Sequence, residues 1–467
     1  MNRSITTHLI AWKSSPGRLP LLLRGARQVG KSYAIENFGK EFFETCITID
    51  FDLYPHYTNC FTGSLHPQDV CAAISVIAGK EIVPAKTLLF LDEIQQCPRA
   101  IMALRYFYEK LPELHVIGAG SLLEFALSAE EMRMPVGRVQ YLFMYPLTFA
   151  EFLDATGQQP ALDAIKQLAM NHPCPNAIHD HLLSLLRVYL TIGGMPAVVR
   201  EYAASASMTL CARIQAGIAQ TYRDDFGKYA TRAGIAMLQK VFAAVPKMVG
   251  RKFKYSSIDD TIHSRELKGA LELLEKAGVV YRVKQTSGSG LPLEAGASDR
   301  NFKVVFLDVG LMQNLCGLSG ELLVASDILA VHAGAVAEQF AGQELQALAD
   351  PYLRTGLYYW AREARTSNAE VDYLVPAGSR ILPLEVKAGK SGALRSLHLF
   401  MQEYAAPLGI RVSQAGLHAD DTLLSIPLYA MGRLDEILKL TILKINSEFG
   451  RPAADVGAPP PGPAYRP

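Results

Sequence analysis

The chain has 467 residues and a formal net charge of +1, from 46 Lys and Arg against 45 Asp and Glu. The length predicts about three domains, and the balanced charge excludes a protein coated in cations while leaving room for a local basic patch. Seven cysteines without Cys-X-X-Cys pairs or zinc spacing indicate reduced thiols and a cytoplasmic protein. No apolar run reaches 18 residues, so we expect no membrane span.

The first third of the chain alternates short apolar strands with helical patterns. The strand-like runs between about residues 15 and 155 are LPLLLRG, CITIDFD, TLLFLDE and LHVIGAG. Such alternation predicts an α/β domain with a parallel sheet. We assign this domain to residues 1–155.

A phosphate-binding loop follows the first of these strands. The segment GARQVGKS fits GxxxxGK[ST] and lies between a strand and a helical pattern, which is the context that the motif requires. Glycines in such a loop let backbone N–H groups point at phosphate oxygens. We expect Lys31 to reach the β and γ phosphates and the Ser32 hydroxyl to be a ligand of Mg²⁺. The predicted nucleotide-binding residues are Gly25, Ala26, Arg27, Gln28, Val29, Gly30, Lys31 and Ser32.

Two acidic residues end the buried strand TLLFLDE. We expect Asp92 to hold Mg²⁺, directly or through water, and Glu93 to orient and activate the attacking water, as phosphoryl transfer requires. The alternative is a strand that simply ends on a solvated acidic pair. The preceding P-loop favours the catalytic interpretation.

Two further residues are candidates for contact with phosphate. Ser121 ends the strand LHVIGAGS and is expected beside the γ-phosphate. Arg138 could act on a phosphate in the same chain or across a subunit boundary. An ordinary surface or interface arginine is the equally weighted alternative for Arg138.

The middle of the chain, residues 156–325, is mostly helical with one strand pair near 279–308. A helical stripe of Leu267, Leu271 and Leu274 begins at Ser264, a natural N-cap, and Gly278 suits the position that ends it. Helix, strand, Gly/Ser-rich loop and strand follow in the order of a winged helix, with the loop as the wing. A basic run upstream, Lys247, Arg251, Lys252 and Lys254, could contact DNA backbone.

The face of the predicted recognition helix argues against that use of the winged helix. Glu266, Glu272 and Glu275 lie among its basic residues, and carboxylates disfavour phosphate binding. A structural or partner-binding role is the alternative.

The last domain, residues 326–445, contains the segment EVDYLV and, after a turn, ILPLEVK. Side chains alternate between the two faces of a strand, so Asp372 lies on the polar face of EVDYLV, and Glu385 and Lys387 lie on the polar face of ILPLEVK. Apolar residues occupy the opposite face of each strand. This pattern resembles the core of restriction-endonuclease-like nucleases, in which two acids bind Mg²⁺ and the lysine acts on water. Glu338, on a helical pattern before the strands, could add a third acid. The alternative is that all four groups pair in salt bridges in a non-cutting form of the fold.

The tail, residues 446–467, is rich in Pro, Gly and Ala, and we expect it to be disordered.

These motifs together resemble one family. The chain is similar to the prokaryotic AAA-type ATPases that carry a C-terminal domain of unknown function with a restriction-endonuclease-like core. The resemblance rests on GARQVGKS, LLFLDEIQ, GAGSLL, VGR…YPLTFAEFL, GGMP, KVVFLDVGLM and EVDYLV…LPLEVK in that order, and it covers residues from about 8 to 440. It departs from the usual Tyr-Trp-Arg at Trp360-Ala361-Arg362. The resemblance implies an α/β AAA-type P-loop domain, a winged helix and an α/β endonuclease-like domain. It also implies ATP as the nucleotide, and a multimer.

Three hypotheses follow, and the third, an ATP-independent nuclease with a vestigial P-loop, is disfavoured by the intact Lys-Ser and Asp-Glu pairs. In the first, ATP hydrolysis with Mg²⁺ drives a nuclease-like C-terminal domain, with DNA as the candidate target. In the second, ATP switches a regulatory or partner-binding protein whose C-terminal domain is catalytically inactive. The candidate partners are DNA, a second copy of the chain or another protein, and no membrane.

Overall fold

A five-stranded parallel sheet forms the centre of the amino-terminal domain. The computed structural model describes residues 2–121, 123, 125, 137–228, 230–317, 329–363, 368–390 and 392–448. The sheet order is β2-β3-β4-β1-β5, and the four predicted strand runs form β1 to β4. The strands are β1 (Leu21–Arg24), β2 (Thr45–Asp50), β3 (Thr87–Asp92), β4 (His115–Ala119) and β5 (Gln140–Phe143).

Helices cover both faces of this sheet. Side chains alternate across strand β3, so that Leu88 and Phe90 belong to one hydrophobic core and Leu89 and Leu91 to another. Burial on both faces explains why the strand is apolar at almost every position. The helices of this domain are α1 (Ile5–Ser14), α2 (Lys31–Phe42), α3 (Pro67–Ala78) and α4 (Pro98–Lys110).

A helical region follows. Its first helix starts with a capping box, in which Thr148 accepts from the Glu151 N–H and Glu151 accepts from the Thr148 N–H. The predicted domain boundary at residue 155 coincides with the end of this helix. The helices are α5 (Phe149–Ala155), α6 (Gln159–Gln167), α7 (Asn176–Ile192), α8 (Pro196–Ser205), α9 (Met208–Asp225) and α10 (Arg232–Ala244).

The GGMP segment forms the turn between α7 and α8. Gly194 donates its N–H to Asp308 over 2.6 Å, and a Cβ on Gly193, which has φ +74°, would lie 2.0 Å from the same carboxylate. Asp308 is fully buried and also caps α12 (Val309–Leu315) by accepting from Leu311. The two glycines therefore make room for a buried cap.

The helix–strand–loop–strand order predicted for the middle of the chain is present. Helix α11 (Ser264–Lys276) buries its predicted leucine stripe, and strands β6 (Val280–Thr286) and β7 (Ala297–Phe306) pair antiparallel. Gly278 ends the helix with φ +70°, as expected. The predicted N-cap was one residue late, since His263 holds that position and Ser264 is the first helical residue.

This hairpin is not a separate module. Strand β6 pairs in parallel with β8 (Leu357–Glu363), which belongs to the predicted last domain. With β9 (Asn368–Val371) they form a sheet of order β7-β6-β8-β9. The boundary predicted at 325–326 lies outside the described residues, but the sheet extends across it. One core cluster likewise runs from Ile5 to Leu438. The parts of the chain on either side of that boundary therefore share one sheet, in which β6 is an interior strand with a partner on each side.

The C-terminal part adds a second sheet, of order β10-β11-β12-β14-β13. The predicted strand EVDYLV is split at Asp372, where the chain passes from the first sheet to the second. Its elements are α13 (Leu329–Leu348), β9 (Asn368–Val371), β10 (Tyr373–Ala377), β11 (Arg380–Val386), α14 (Arg395–Tyr404), β12 (Gly409–Ser413), β13 (His418–Ala419), β14 (Leu423–Pro427) and α15 (Leu434–Glu448).

Helix α15 continues three residues past the predicted boundary at 445. The rest of the predicted disordered tail, from residue 449, lies outside the described residues. Among the described helices, none combines the length and apolarity needed to cross a bilayer.

Candidate functional site

The phosphate-binding loop lies between β1 and α2, at the carboxyl edge of the parallel sheet. Gly25 has φ +148°, and a Cβ there would lie 2.2 Å from the Met144 carbonyl oxygen, so only glycine fits. Gly30 has φ +95° and is the N-cap of α2. The loop thus delivers its backbone to the amino-terminal end of a helix, where N–H groups and the helix dipole favour an anion.

Lys31 is buried inside this loop. Its Nζ donates to the carbonyl oxygens of Gly25 at 2.9 Å and Ala26 at 2.8 Å. Burial lowers the pKa of Lys31 to about 8, although the charges of Glu93 and Asp92 act in the opposite direction. The ammonium is therefore held at the loop in a place where phosphate charge would stabilise it.

Asp92 and Ser32 form the pair expected of a Mg²⁺ site. Asp92 is the last residue of β3, the strand next to β4. The Ser32 side chain forms a hydrogen bond with its carboxylate. Burial raises the pKa of Asp92, and the Ser32 hydrogen bond partly offsets that rise. A carboxylate and a hydroxyl oxygen are hard ligands of the kind that Mg²⁺ prefers, so these residues fit the ion that accompanies a nucleotide.

Glu93 and Ser121 meet at the same edge. Ser121 Oγ lies 3.4 Å from both Glu93 carboxylate oxygens. Gln95, in the short turn after β3, donates its side-chain amide to Glu93. The Gln95 Oε1 is buried and faces Gly120, where a Cβ would be 1.8 Å away. Gln95 thus fixes the direction of the Glu93 carboxylate, and Gly120 makes room for it.

Arg138 lies near the amino-terminal ends of the strands, whereas the P-loop lies at their carboxyl ends. It precedes β5, whose residue Gln140 is level with Leu21 at the start of β1. Arg138 is therefore about six residues, or roughly 20 Å, from the level at which the P-loop begins. Its side chain pairs with Glu109 at 3.1 Å and is 44% exposed. The expected action on a phosphate of the same chain has no support in this geometry.

The tip of the P-loop contacts the helical region. Arg27 forms an ion pair with Asp225 at the end of α9, and Tyr222 of the same helix donates to the Arg27 carbonyl oxygen at 2.6 Å. On another side, a Cβ on Gly278 would lie 3.4 Å from the Ala26 nitrogen. The loop is therefore touched both by α9 and by the turn between α11 and β6.

The C-terminal acids converge on a lysine that sequence analysis missed. Lys303 of β7 is 1% exposed, and its Nζ lies 2.9 Å from Glu338, 2.5 Å from Glu370 and 3.5 Å from Asp372. Burial by itself lowers the pKa of Lys303, but the charges of Glu338, Asp372 and Glu370 outweigh it and raise that pKa. Burial raises the pKa of Glu338.

The predicted Glu385 and Lys387 pair with each other. Lys387 Nζ lies 2.6 Å from Glu385 Oε1, and the other oxygen, Oε2, is buried with no hydrogen-bond partner among the described residues. Burial, followed by the charge of Asp372, raises the pKa of Glu385. Asp372 uses its second oxygen to accept from the Val386 N–H at 2.8 Å. The structure thus brings the predicted acids together but gives each a partner.

This arrangement does not fit a bound divalent ion. Among the described residues, no group of three or more His, Cys, Asp or Glu side chains is placed to hold a metal ion. The Lys303 ammonium lies between Glu338 and Asp372, where a bridging cation would have to be. A sequence signal existed: Lys303 interrupts the apolar run FKVVFLD, and a lysine in a buried strand needs carboxylates around it.

The basic run borders this carboxylate cluster. Lys247, Arg251 and Lys254 are exposed, and a Cβ on Gly250 would lie 3.2 Å from Glu338 Oε2. On the exposed face of α11, Lys268 lies 3.8 Å from Glu272. Glu275 pairs with Arg282 at 2.8 Å, so two of the carboxylates that argued against phosphate binding have cationic partners.

Arg362 belongs to the segment Trp360-Ala361-Arg362, which departs from the usual Tyr-Trp-Arg of the family. It pairs with Glu403 at 3.1 Å on the surface.

Comparison with known families gives three adjacent matches. Residues 17–153 match the model of the AAA domain family, which supports a P-loop domain of the AAA type in this part of the chain. Residues 183–322 match a domain of unknown function (DUF8612), and residues 333–429 match another (DUF4143). Neither description names a nuclease, so the endonuclease-like core stays a prediction.

Comparison with solved structures gives weak likenesses. A Walker-type ATPase of Pyrococcus abyssi aligns over 68% of this chain and 95% of its own, with 17% identity and a TM-score of 0.44. The ORC2 protein of Aeropyrum pernix, solved as ADPNP–ADP complexes, aligns over 70% and 96%, with 12% identity and a TM-score of 0.34. The ORC1 protein of Aeropyrum pernix in complex with DNA aligns over 67% and 90%, with 12% identity and a TM-score of 0.27. These low scores carry no further conclusion. No curated protein sequence matches the chain.

Proposed function

We propose that this protein, whose amino-terminal part is an AAA-type P-loop domain, binds ATP with Mg²⁺ and hydrolyses it. The observation that carries the proposal is the meeting of Lys31, Ser32, Asp92 and Glu93 at one edge of a parallel sheet. Phosphoryl transfer needs little covalent chemistry from the protein, and it depends on positioning and on charge stabilisation. These four residues provide both.

Each residue has a defined part. The P-loop N–H groups and the Lys31 ammonium bind the β and γ phosphates, and Ser32 and Asp92 would hold Mg²⁺, which neutralises phosphate charge when bound. Glu93 accepts the proton of the attacking water, and Ser121 contacts the terminal phosphate beside it.

ATP turnover and binding test this part of the proposal. Lys31→Ala should abolish ATP binding, whereas Glu93→Gln should retain ATP and stop hydrolysis. Lys86→Ala serves as a matched control, because Lys86 precedes β3 at the other end of the strand and pairs with Glu44 on the surface. ATP affinity that survives Lys31→Ala would overturn the assignment of the site, and unchanged turnover in Glu93→Gln would remove the base role of Glu93.

Nucleotide occupancy would then act on the helical region. Arg27 is held by Asp225, so phosphate arriving at the loop competes for the charge of Arg27. Helix α9 is connected onward, because Asn314 of α12 donates to the Ala212 carbonyl at 3.1 Å. Gln343 of α13 in turn accepts from the Val309 N–H of α12 at 2.9 Å. These contacts support a nucleotide-dependent switch that extends to the helix carrying Glu338.

For the C-terminal domain, the contacts favour the regulatory or partner-binding hypothesis over nuclease coupling. The occupation of the acidic cluster by Lys303 is the observation on which this choice rests. The basic run of Lys247, Arg251 and Lys254 keeps DNA as a candidate partner, bound through its backbone.

A cleavage assay separates the two hypotheses. Labelled duplex, single-stranded and branched DNAs are incubated with Mg²⁺ or Mn²⁺, with and without ATP, and wild type is compared with Lys387→Ala. We expect ATP hydrolysis without cleavage. Cleavage that disappears in Lys387→Ala would establish the nuclease hypothesis instead.

A further inference from the structure

Lys303 occupies the centre of the acidic cluster in a way that flexible surface lysines do not. It lies opposite Val283 of β6 on β7, which is an edge strand of its sheet, yet its side chain is almost entirely buried. A buried ammonium is stable only when carboxylates surround it. Three of them do, from α13, from β9 and from the junction of the two sheets.

The positions of these carboxylates come from well-packed elements. Glu338 lies one turn before Gly342 on α13, and Tyr373 donates its hydroxyl to the Glu338 carbonyl at 2.8 Å. Asp372 is fixed by the Val386 N–H. The Lys303 ammonium lies 5.3 Å from the centre of the Tyr359 ring, which provides further stabilisation for a cation. The cluster is therefore built around a cation that belongs to the chain.

A divalent ion at the same acids would have to approach that ammonium. Mg²⁺ or Mn²⁺ binds carboxylate oxygens at about 2.1 Å, whereas the ammonium already lies 2.9 Å from Glu338. A divalent ion bound to Glu338 would therefore lie within a few ångströms of the Lys303 ammonium, and the two cations would repel each other strongly in a site of low dielectric. Among the described residues of the cluster, Glu385 Oε2 is a buried carboxylate oxygen without a hydrogen-bond partner, and one such atom is only a single ligand.

We infer that Lys303 is a resident internal cation that replaces the metal in this acidic cluster, so that Glu338, Asp372 and Glu385 bind no divalent ion in the native protein. The inference deepens the regulatory interpretation of the C-terminal domain and is independent of ATP hydrolysis. It defines an acidic cluster that is neutralised by a lysine from another part of the chain.

Removal of the lysine should convert the cluster into a real metal site. Lys303→Met retains the length of the side chain but removes its charge. Because three uncompensated carboxylates could unfold the protein, the double variant Lys303→Met/Glu370→Gln is made in parallel. Mn²⁺ binding to the full-length, nucleotide-free proteins is measured by electron paramagnetic resonance and by the shift of the thermal unfolding midpoint.

We expect at least tenfold tighter Mn²⁺ binding in the lysine variants than in wild type, with the gain abolished by adding Asp372→Asn. Lys387→Met is the matched control: it removes the charge of the other lysine in the cluster, and it should gain no site, since Lys303 remains. If the wild-type protein binds Mn²⁺ and Asp372→Asn removes that binding, the inference is wrong. The absence of any gain in a folded double variant would also overturn it. ATP turnover, measured in the same samples, reports separately on the proposed hydrolysis.

Discussion

The Tyr222 hydroxyl donates a hydrogen bond of 2.6 Å to the carbonyl oxygen of Arg27, and so ties helix α9 to the tip of the phosphate-binding loop. Asp225, three residues along the same helix, holds the Arg27 side chain. Both contacts join residues separated by 195 or more positions in the chain. The helical region is therefore placed to respond to what the loop binds.

Tyr222→Phe should weaken that response while leaving the packed ring in place. Loss of one such hydrogen bond costs about 1 kcal/mol, which is enough to loosen the coupling without unfolding the helix. We expect ATP to slow hydrogen exchange in residues 208–225 of the wild type and to do so less in the variant. Tyr202→Phe on α8, where the ring of Tyr202 packs against Phe152, is the control. An equal response in wild type and Tyr222→Phe would contradict the proposed switch.

ATP affinity should depend on pH through Lys31. The pKa of this lysine is lowered to about 8, and bound phosphate favours its protonated form. Affinity is then full below pH 8 and falls as the pH rises through that value, by about tenfold between pH 7 and pH 9. Calorimetric titration of MgATP across this range measures the effect, with Lys86→Ala as a surface-lysine control. A flat profile would show that the Lys31 charge does not change on binding.

Gln95 should affect turnover more than binding. Its amide directs the Glu93 carboxylate, and misplacement of a general base lowers kcat by roughly tenfold to a hundredfold. We expect Gln95→Ala to reduce kcat with KM for ATP nearly unchanged. The neighbouring Gln96 is exposed, so Gln96→Ala controls for local disturbance of the turn. A rise in KM alone would assign Gln95 to nucleotide binding instead.

Asp308 should be a major determinant of stability. Its buried carboxylate accepts from Gly194 and Leu311, and alanine at this position would leave two buried N–H groups unpaired. We expect Asp308→Ala to lower the free energy of unfolding by about 2–4 kcal/mol. Asp308→Asn, which keeps an acceptor oxygen, should lose less. Urea unfolding measures both variants, and equal losses would show that the carboxylate charge, not the hydrogen bonds, is what matters.

Arg138 can act on a nucleotide only across a subunit boundary, since its own P-loop lies at the carboxyl ends of the strands and Arg138 near their amino-terminal ends. That role predicts that Arg138→Ala, if it lowers turnover, regains activity when mixed with Glu93→Gln, which supplies an intact Arg138. Arg105→Ala provides the control, because Arg105 pairs with the same Glu109. Loss of turnover without recovery on mixing would assign Arg138 a structural role.

Sequence alone predicted which residues form the candidate nucleotide site, because the features that define it are local. The residues of GARQVGKS are contiguous, and the acidic pair ends a strand whose apolar pattern reveals its burial. Parallel strands bring their carboxyl ends to one edge, so Lys31, Asp92 and Ser121 could be placed together before any tertiary contact was known. The leucine stripe of α11 and the turn at Gly278 were predictable for the same reason.

Tertiary structure alone decided what surrounds these residues. Lys303 meets Asp372 across 69 positions, and Arg27 meets Asp225 across 198. Which charges pair over such separations depends on how sheets and helices pack, and no local spacing records it. Strand parity could place the C-terminal acids on a polar face, but it could not show that a lysine from another strand lies among them. The local sequence around these acids is the same for a metal site and for an internal ion cluster. The two differ in whether the fold places a metal ion or a lysine side chain between the acids.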